Sequence, residues 1–171
     1  MTFNNSKKNV YIALGSNLGN RLQHFKDALA LIEQEIGKVI RKASLYESKA
    51  QGFISENDFL NTVICCESEK SPEEIMRLLS GIESRLGRKR LKAGYSDRPI
   101  DLDFLVYENL TFRCSTPSLA LPHPRFLQRN FALIPLLEVA DRLLNEQIHN
   151  EVPVSEINKF KGELQASVCE F

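Results

Sequence analysis

The order of strand-like and helix-like segments is the feature that most restricts the fold of this chain. Short apolar runs typical of β-strands alternate with longer segments whose apolar residues repeat at helical spacing. The predicted strands cover residues 10–14, 39–46, 59–67 and 100–107, and the predicted helices cover 20–36 and 71–86. The resulting order, β-α-β-β-α-β, predicts an α+β protein with a ferredoxin-like antiparallel sheet and helices packed on it, rather than a doubly wound parallel sheet.

The remaining C-terminal part carries weaker signals and is predicted as additions to that core. A short strand is expected at 110–113, irregular chain at 117–124, and helices at 130–139 and 154–160. Pro135 is expected to bend or break the first of these helices, because proline removes a backbone hydrogen bond.

Composition limits the class of protein. The 171 residues include 22 basic and 22 acidic side chains, so there is no overall field to attract nucleic acid or an anionic membrane. The length favours one domain spanning residues 1–171. We expect a cytoplasmic protein, because no signal peptide is recognisable and no run approaches the roughly 20 apolar residues of a membrane span. The four cysteines lack metal-site spacing and are expected to be buried thiols.

Two acids stand inside the predicted strand 100–107. Asp101 and Asp103 are separated by one residue, so they project from the same face, roughly 6.5 Å apart. Carboxylates are depleted in strands, and two like charges at this spacing favour a cation between them. Mg²⁺ prefers one or two carboxylates together with phosphate oxygens. The alternative, a structural ion pair with Arg88 or Arg98, stays open at this point.

Cationic side chains cluster just before this strand. Five of them fall within the eleven residues 88–98, namely Arg88, Lys89, Arg90, Lys92 and Arg98. The two arginines at the ends of the segment are the ones that rigid elements would aim inward, and planar guanidinium groups suit phosphate binding. His123, held between two prolines, and the nearby Arg125 and Arg129 are further candidates for phosphate contacts. The P-loop and the dinucleotide-binding glycine pattern are both absent from the sequence.

Five short motifs occur in a recognisable order. They read A-L-G-S-N-L-G at 13–19, F-L-N at 59–61, R-P-I-D-L-D at 98–103, L-P-H-P-R at 121–125 and R-N-F at 129–131. Together they resemble the hydroxymethyl-dihydropterin pyrophosphokinase family of folate biosynthesis, over residues 10–139. That resemblance implies a ferredoxin-like enzyme that moves pyrophosphate from ATP to the hydroxymethyl group of a reduced pterin, releases AMP and needs two Mg²⁺ ions.

The resemblance also implies roles for individual residues. Asp101 and Asp103 would hold both metal ions, and Arg88 and Arg98 would be the catalytic arginines. The pterin would be bound by Ser48, Phe53 (or another loop aromatic), Asn61 and Phe131. ATP would be contacted by Glu83, Arg88, Arg90, Tyr95, Arg98, His123 and Arg129.

The sequence departs from the family pattern at several loop positions. Tyr95 stands where a tryptophan is usual, Ser96 and Asp97 replace a common Gly-Pro pair, and Pro124 replaces a frequent aromatic residue. The loop at 49–52 lacks the frequent Pro-Pro. These changes bear on loop closure more than on the reaction.

Three other functions are alternatives to this one. A ferredoxin-like sheet is also used by RNA-binding modules, but the chain lacks their Gly-aromatic run and places acids on a strand where RNA would need cations. A second alternative is another D-x-D metal-dependent enzyme that acts on a phosphate substrate. A third is a nucleotide-binding protein without catalysis. The expected partners are small molecules alone, ATP and the pterin, with no nucleic acid, no membrane and a monomeric chain.

Overall fold

A computed structural model describes residues 6–89, 96–167 and 171. The element order begins with β1 (Lys8–Ser16), α1 (Arg21–Glu35), β2 (Lys38–Lys42), β3 (Tyr46–Ser48), β4 (Phe59–Ser68), α2 (Pro72–Arg85) and β5 (Asp101–Tyr107). The chain continues through β6 (Phe112–Ser115), β7 (Ser118–Leu121), a short 3₁₀ turn (Phe126–Gln128), α3 (Asn130–Val139), α4 (Arg142–Glu151), α5 (Val154–Glu163) and β8 (Gln165–Ala166).

The main sheet confirms the ferredoxin-like prediction. Its strands lie in the order β5-β1-β4-β3-β8, with β2 also paired to β4. β1 is central and runs antiparallel to both β4 and β5. The helix α2 begins as predicted, because Glu74 N–H donates to the N-cap Ser71 Oγ (3.3 Å) and Pro72 takes the first helical position.

Helices cover both faces of the sheet, which explains why β1 and β4 are apolar on both sides. Alternate residues of β1 face α1 and α2, where Val10 and Ile12 pack with Phe25 and Leu79. The intervening residues face the C-terminal helices, as Tyr11 does in a cluster that contains Leu133 of α3. The C-terminal additions therefore form a third layer, and burial of their apolar side chains stabilises it.

Two element predictions were wrong. The strand expected at 39–46 is divided into β2 and β3, because Lys42 pairs with Ile64 and Tyr46 with Asn61, so that the chain between the two strands has one residue more than the facing part of β4. The segment expected to be irregular at 117–124 contains β7, which pairs with β6 in a hairpin. The helix expected at 130–139 is confirmed as α3, and it is not broken at Pro135, since burial of this helix against the sheet outweighs the lost hydrogen bond.

Two further C-terminal elements were not predicted. α4 has an N-cap at Asp141, whose carboxylate accepts a hydrogen bond from Leu144 N–H (2.9 Å) and lies 3.1 Å from the Tyr11 hydroxyl. The short strand β8 pairs with β3. α5 also extends three residues beyond the predicted end at residue 160.

Two of the three described cysteines match the prediction of buried thiols. Cys65 and Cys66 are buried free thiols that face opposite sides of the sheet, and burial raises the pKa of each. Cys114 is a half-buried free thiol, whereas Cys169 lies outside the described residues. Within 6–89, 96–167 and 171, none of the helices has the length and apolar character required to cross a membrane.

Candidate active site

The pairing of three strands sets the floor of the candidate active site. Gly15 on β1 lies opposite Asn61 on β4 and, across its other edge, opposite Asp101 on β5. A Cβ placed on Gly15 would lie 3.6 Å from Asn61 Oδ1 and 3.7 Å from Asp101 Cβ. The missing side chain therefore leaves an open space between the amide and the carboxylate.

This space belongs to a cavity of about 330 Å³ at one end of the sheet. Its walls come from β1, β3, β4, β5, the loop after β3 and the segment that precedes α3. The lining residues are Ala13, Leu14, Gly15, Ser48, Lys49, Gln51, Gly52, Phe59, Asn61, Arg88, Arg98, Asp101, Asp103, His123, Arg125, Arg129 and Phe131.

Asp101 is the centre of an ion-pair network on one side of the cavity. Arg98 Nη2 lies 2.8 Å from Asp101 Oδ2, and Arg88 Nη1 donates to Asp101 Oδ1. The same Arg88 nitrogen also donates to Glu83, whose Oε1 accepts Leu102 N–H at 2.7 Å. Glu83 is only 3% exposed, so it lies behind Arg88 and orients that guanidinium rather than facing the cavity.

Asp103 lies two residues further along β5 and also lines the cavity, so the two acids share one face as predicted. Arg129 Nη1 lies 3.3 Å from its Oδ2. Burial, with the charge of Asp101 adding to it, raises the pKa of Asp103 to about 6. A cation that binds beside Asp103 would therefore stabilise the ionised form of its carboxyl group.

The opposite side of the cavity is aromatic and amide-lined. Asn61 is 4% exposed, and its Nδ2 donates to Ser48 Oγ (2.9 Å) and to Tyr46 O (3.2 Å). These bonds hold the amide in one orientation. Phe59 and Phe131 supply the aromatic rings of the lining. A flat heterocycle with polar edges matches such a slot.

His123 lines the same cavity on the arginine side. Its backbone N–H donates to Leu105 O (2.7 Å), which fixes the segment against β5. The ring Nδ1 accepts Arg125 N–H (3.2 Å), so the neutral ring carries its proton on Nε2 as a hydrogen-bond donor. Burial, followed by the charges of Arg129 and Arg125, lowers the pKa of His123 and favours this neutral form.

Most of the residues singled out from the sequence are brought together. Ten of them line one cavity: Arg88, Arg98, Asp101, Asp103, Ser48, Asn61, His123, Arg125, Arg129 and Phe131. Glu83 was expected to contact ATP but supports Arg88 from behind. Phe53 is not among the lining residues; its ring packs edge-on against Phe59 at 6.2 Å. Arg90 and Tyr95 lie outside the described residues.

Sequence reasoning did not single out three contributors to the cavity. Phe59, rather than Phe53, supplies the second lining ring, and its position two residues before Asn61 on β4 was the available signal. Gly15 lines the floor, and Gln51 Nε2 donates to Asn130 Oδ1 (3.3 Å) at the rim. These contributions depend on neighbours from distant parts of the chain.

The donor set suits a magnesium ion that is completed by its substrate. In the part of the chain that the structure describes, no group of three or more His, Cys, Asp or Glu side chains forms a metal cage. Two carboxylates on one face are the protein share that Mg²⁺ commonly uses, because phosphate oxygens and water supply the rest. The residues present therefore fit this metal.

The fold and the site together define a class: a ferredoxin-like α+β protein in which one cavity joins an acid–arginine cluster to an aromatic slot. Comparison with known proteins gives the family. A sequence model of the 7,8-dihydro-6-hydroxymethylpterin-pyrophosphokinase (HPPK) family matches residues 11–141. The chain belongs to this family.

Individual relatives agree. The chain is 38% identical to the 2-amino-4-hydroxy-6-hydroxymethyldihydropteridine pyrophosphokinase of Porphyromonas gingivalis over 146 residues, which is 84% of this chain and 95% of that protein. It is 34% identical to the protein of the same name from Bacillus subtilis over 155 residues, covering 89% of this chain and 90% of that protein.

A solved structure supports the fold. Wild-type HPPK-DHPS of Plasmodium falciparum, crystallised with pteroate, superposes with a TM-score of 0.68 at 14% sequence identity. The alignment covers 95% of this chain and 48% of that one, so the chain spans about half the length of that structure.

Proposed function

We propose that this chain transfers pyrophosphate from ATP to the hydroxymethyl group of 6-hydroxymethyl-7,8-dihydropterin, giving AMP and the pterin diphosphate in folate biosynthesis. The observation that carries the proposal is the placement of Gly15 between Asn61 and Asp101. A slot for a flat ring and a cluster for polyphosphate charge thus open into one cavity. The family assignment supports the same reaction.

The reaction places definite demands on the site. The pterin hydroxyl oxygen attacks the β-phosphorus of ATP, the bond from that phosphorus to the α,β-bridging oxygen breaks, and AMP leaves with that oxygen. The hydroxyl proton is lost to solvent. Arg88 and Arg98 would stabilise the negative charge that spreads over the transferred group, and His123 would donate a hydrogen bond to a phosphate oxygen.

Two Mg²⁺ ions are part of this proposal. Asp101 and Asp103 would hold them, and the metal would supply charge neutralisation of the polyphosphate. Asn61 and Ser48 would recognise the polar edge of the pterin, while Phe131 and Phe59, with Phe53 behind it, would pack on its ring. Arg129 would contribute to ATP binding. The roles of Arg90 and Tyr95 in ATP binding stay predictions from the sequence.

The RNA-binding alternative has less support from the fold. RNA-binding modules of this fold stack bases on the open face of the sheet. Here α3 lies on that face, and its Leu133 and Leu136 are fully buried there with Val63 of β4. The alternatives that keep a phosphate substrate are separated by the products of the assay below.

The decisive test is incubation of the protein with ATP, Mg²⁺ and the hydroxymethyl-dihydropterin, with nucleotides separated by chromatography. AMP formed in equal amount to the pterin diphosphate is the expected result. Formation of ADP instead would indicate an ordinary kinase, and turnover that does not depend on the pterin would favour another phosphate substrate.

Replacing Gly15 with alanine tests the cavity floor. The new methyl group meets its nearest atoms at 3.6–3.7 Å, which is ordinary contact, so the fold should be retained. It fills the space between Asn61 and Asp101, and we expect the KM for the pterin to rise about tenfold or more because substrate loses room and contacts. Gly81→Ala is the matched control, since a Cβ there meets nothing within 4 Å on α2. Equal KM values in both variants would contradict this placement.

We also propose that residues 1–171 form one domain and act as a monomer without nucleic-acid partners. Pairing of β8 with β3 and contact of the Phe171 ring with Phe25 (5.7 Å between centroids) support a single unit. The expected cytoplasmic location remains a prediction.

A further inference from the structure

Three segments that border the cavity meet at one carboxylate, that of Asp97. Its Oδ1 accepts hydrogen bonds from Asn17 Nδ2 (2.7 Å) and Ser55 Oγ (2.6 Å), and its Oδ2 accepts one from Asn57 Nδ2 (2.9 Å). Asn17 belongs to the turn after β1, Ser55 and Asn57 belong to the loop between β3 and β4, and Asp97 precedes β5. The Asp97 side chain therefore joins three segments that are distant in sequence, since Asn57 precedes it by 40 residues and Asn17 precedes it by 80 residues.

These hydrogen bonds favour the ionised carboxylate. The Ser55 hydroxyl makes the largest contribution to a lowered pKa of Asp97; burial opposes it, and Asn17, Asn57 and the charge of Arg98 add to it. Hydrogen bonds to an ionised acceptor are stronger than neutral ones. The three segments are therefore joined by charge-assisted hydrogen bonds to one ionised carboxylate, and this junction is stronger than one made of neutral polar groups.

The junction continues into the site through Arg98. Asn17 Oδ1 accepts Arg98 N–H (2.8 Å), and Asn17 N–H donates to Arg98 O (3.2 Å), so both backbone groups of the arginine are held. Asn17 itself is 3% exposed. The Arg98 guanidinium lies over the rings of Phe59 (5.1 Å) and Phe53 (5.9 Å). Phe53 lies two residues before Ser55, on the same loop.

We propose that Asp97 is a positioning residue for the reaction. Its carboxylate fastens the loop at 52–58 to the base of the basic segment, and thereby sets Arg98 and the Phe53–Phe59 pair in place before substrate binds. Such preorganisation removes an ordering cost from binding. The inference rests on the proposed function and extends it, because Asp97 is not itself one of the residues that line the cavity and does not belong to the acid pair. It also gives a role to a position where the sequence departs from its family's pattern.

The first test measures order without requiring turnover. Hydrogen–deuterium exchange, read by mass spectrometry on the substrate-free protein, compares wild type with Asp97→Ala and Asp97→Asn. We expect amides in 52–58 to exchange about tenfold faster in Asp97→Ala, as befits loss of a charged acceptor, with α4 and α5 unchanged. Asp97→Asn keeps one acceptor oxygen and should be intermediate.

The second test separates a positioning role from a merely structural one by steady-state kinetics. In Asp97→Ala we expect the KM for the pterin to rise about tenfold and kcat to fall less than that. The reason is that part of the binding free energy of the substrate is then used to order the loop at 52–58. Ser55→Ala should raise this KM in the wild-type background but add little in the Asp97→Ala background, since the Ser55–Asp97 hydrogen bond is already absent there. Glu108→Gln is the control, as it breaks the ion pair with Lys8 (2.8 Å) at the opposite end of β1.

The outcomes distinguish failure of the positioning role of Asp97 from failure of the proposed function. Wild-type exchange and wild-type KM in Asp97→Ala would overturn the positioning role, and so would faster exchange spread evenly over the whole chain. Fully additive effects of Ser55→Ala and Asp97→Ala on KM would also contradict it. Absence of pterin-dependent AMP from the wild type would instead overturn the proposed function, and the exchange result would still show whether Asp97 fastens the loop.

Discussion

Replacing Asp103 with asparagine is expected to abolish turnover while leaving the fold intact. The variant keeps the shape of the side chain but removes a charge that the proposed metal site requires. Metal ions contribute several kcal/mol to stabilising charge in such transition states, so a loss of about 4 kcal/mol corresponds to about a thousandfold lower kcat. Full activity in Asp103→Asn would contradict the metal assignment.

The same variant should not lose stability at neutral pH. The pKa of Asp103 is raised from 3.8 to about 6 in the folded protein, so the folded state holds this proton more tightly than the unfolded state does. Ionisation of the Asp103 carboxyl group therefore lowers the free energy of unfolding as pH rises from 3.8 to about 6. This loss of stability persists at higher pH. Without Mg²⁺, the Tm of Asp103→Asn should equal or exceed that of wild type at about pH 7.5, and the gain should shrink near pH 4.

Calorimetry in the presence of Mg²⁺ and ATP completes this test. The ligands should raise the Tm of wild type but leave that of Asp103→Asn nearly unchanged, because stabilisation by a ligand depends on its binding to the folded state. Asp27→Asn on α1 is the control, since Asp27 accepts Gln23 Nε2 (2.8 Å) away from the cavity. A lower Tm for Asp103→Asn at every pH would mean that the carboxylate is a structural ion-pair partner of Arg129.

Replacing Arg98 with alanine should lower kcat far more than it weakens pterin binding. Its guanidinium is bonded to Asp101 (2.8 Å) and faces the cavity, where charge would develop during transfer. An arginine in this role contributes about 10³–10⁵ to kcat in phosphoryl transfer. We expect a loss of about 10³ or more in single-turnover rate, and a change in the pterin Kd of less than about tenfold.

Two further variants sharpen this result. Arg98→Lys should recover little activity, because an ammonium cannot reproduce both the bond to Asp101 and the contacts with the faces of Phe59 and Phe53. Arg142→Ala, on the exposed surface of α4, removes an arginine that pairs with Glu146 and should behave as wild type. Collapse of pterin affinity with survival of the chemical step would show that Arg98 acts in pterin binding instead.

Much of the fold was accessible from local pattern. The alternation of β1 and the helical spacing of α1 and α2 depend on residues close together in the chain, and the capping residues Ser71 and Pro72 mark the start of α2 directly. The errors fall where distant partners decide the outcome. The break between β2 and β3 follows from their register with β4, and the unpredicted strand β8 forms by pairing with β3.

The candidate site divides in the same way. The chemical character of Asp101, Asp103, Arg88, Arg98 and His123 was evident from residue types and spacing, and these five line one cavity. Their partners were not evident. That Glu83 stands behind Arg88, and that Phe59 rather than Phe53 faces the cavity, depends on how α2 and the loop before β4 approach β5 and β1.

The sequence alone was sufficient to specify the order of elements and the two acids on one strand face, because periodicity and side-chain direction are local properties of the backbone. The register that brings Asn61 and Asp101 to either side of Gly15, and the meeting of three loops at Asp97, were decided only in the tertiary structure. Such contacts join residues tens of positions apart, and they form only when the whole core packs around β1.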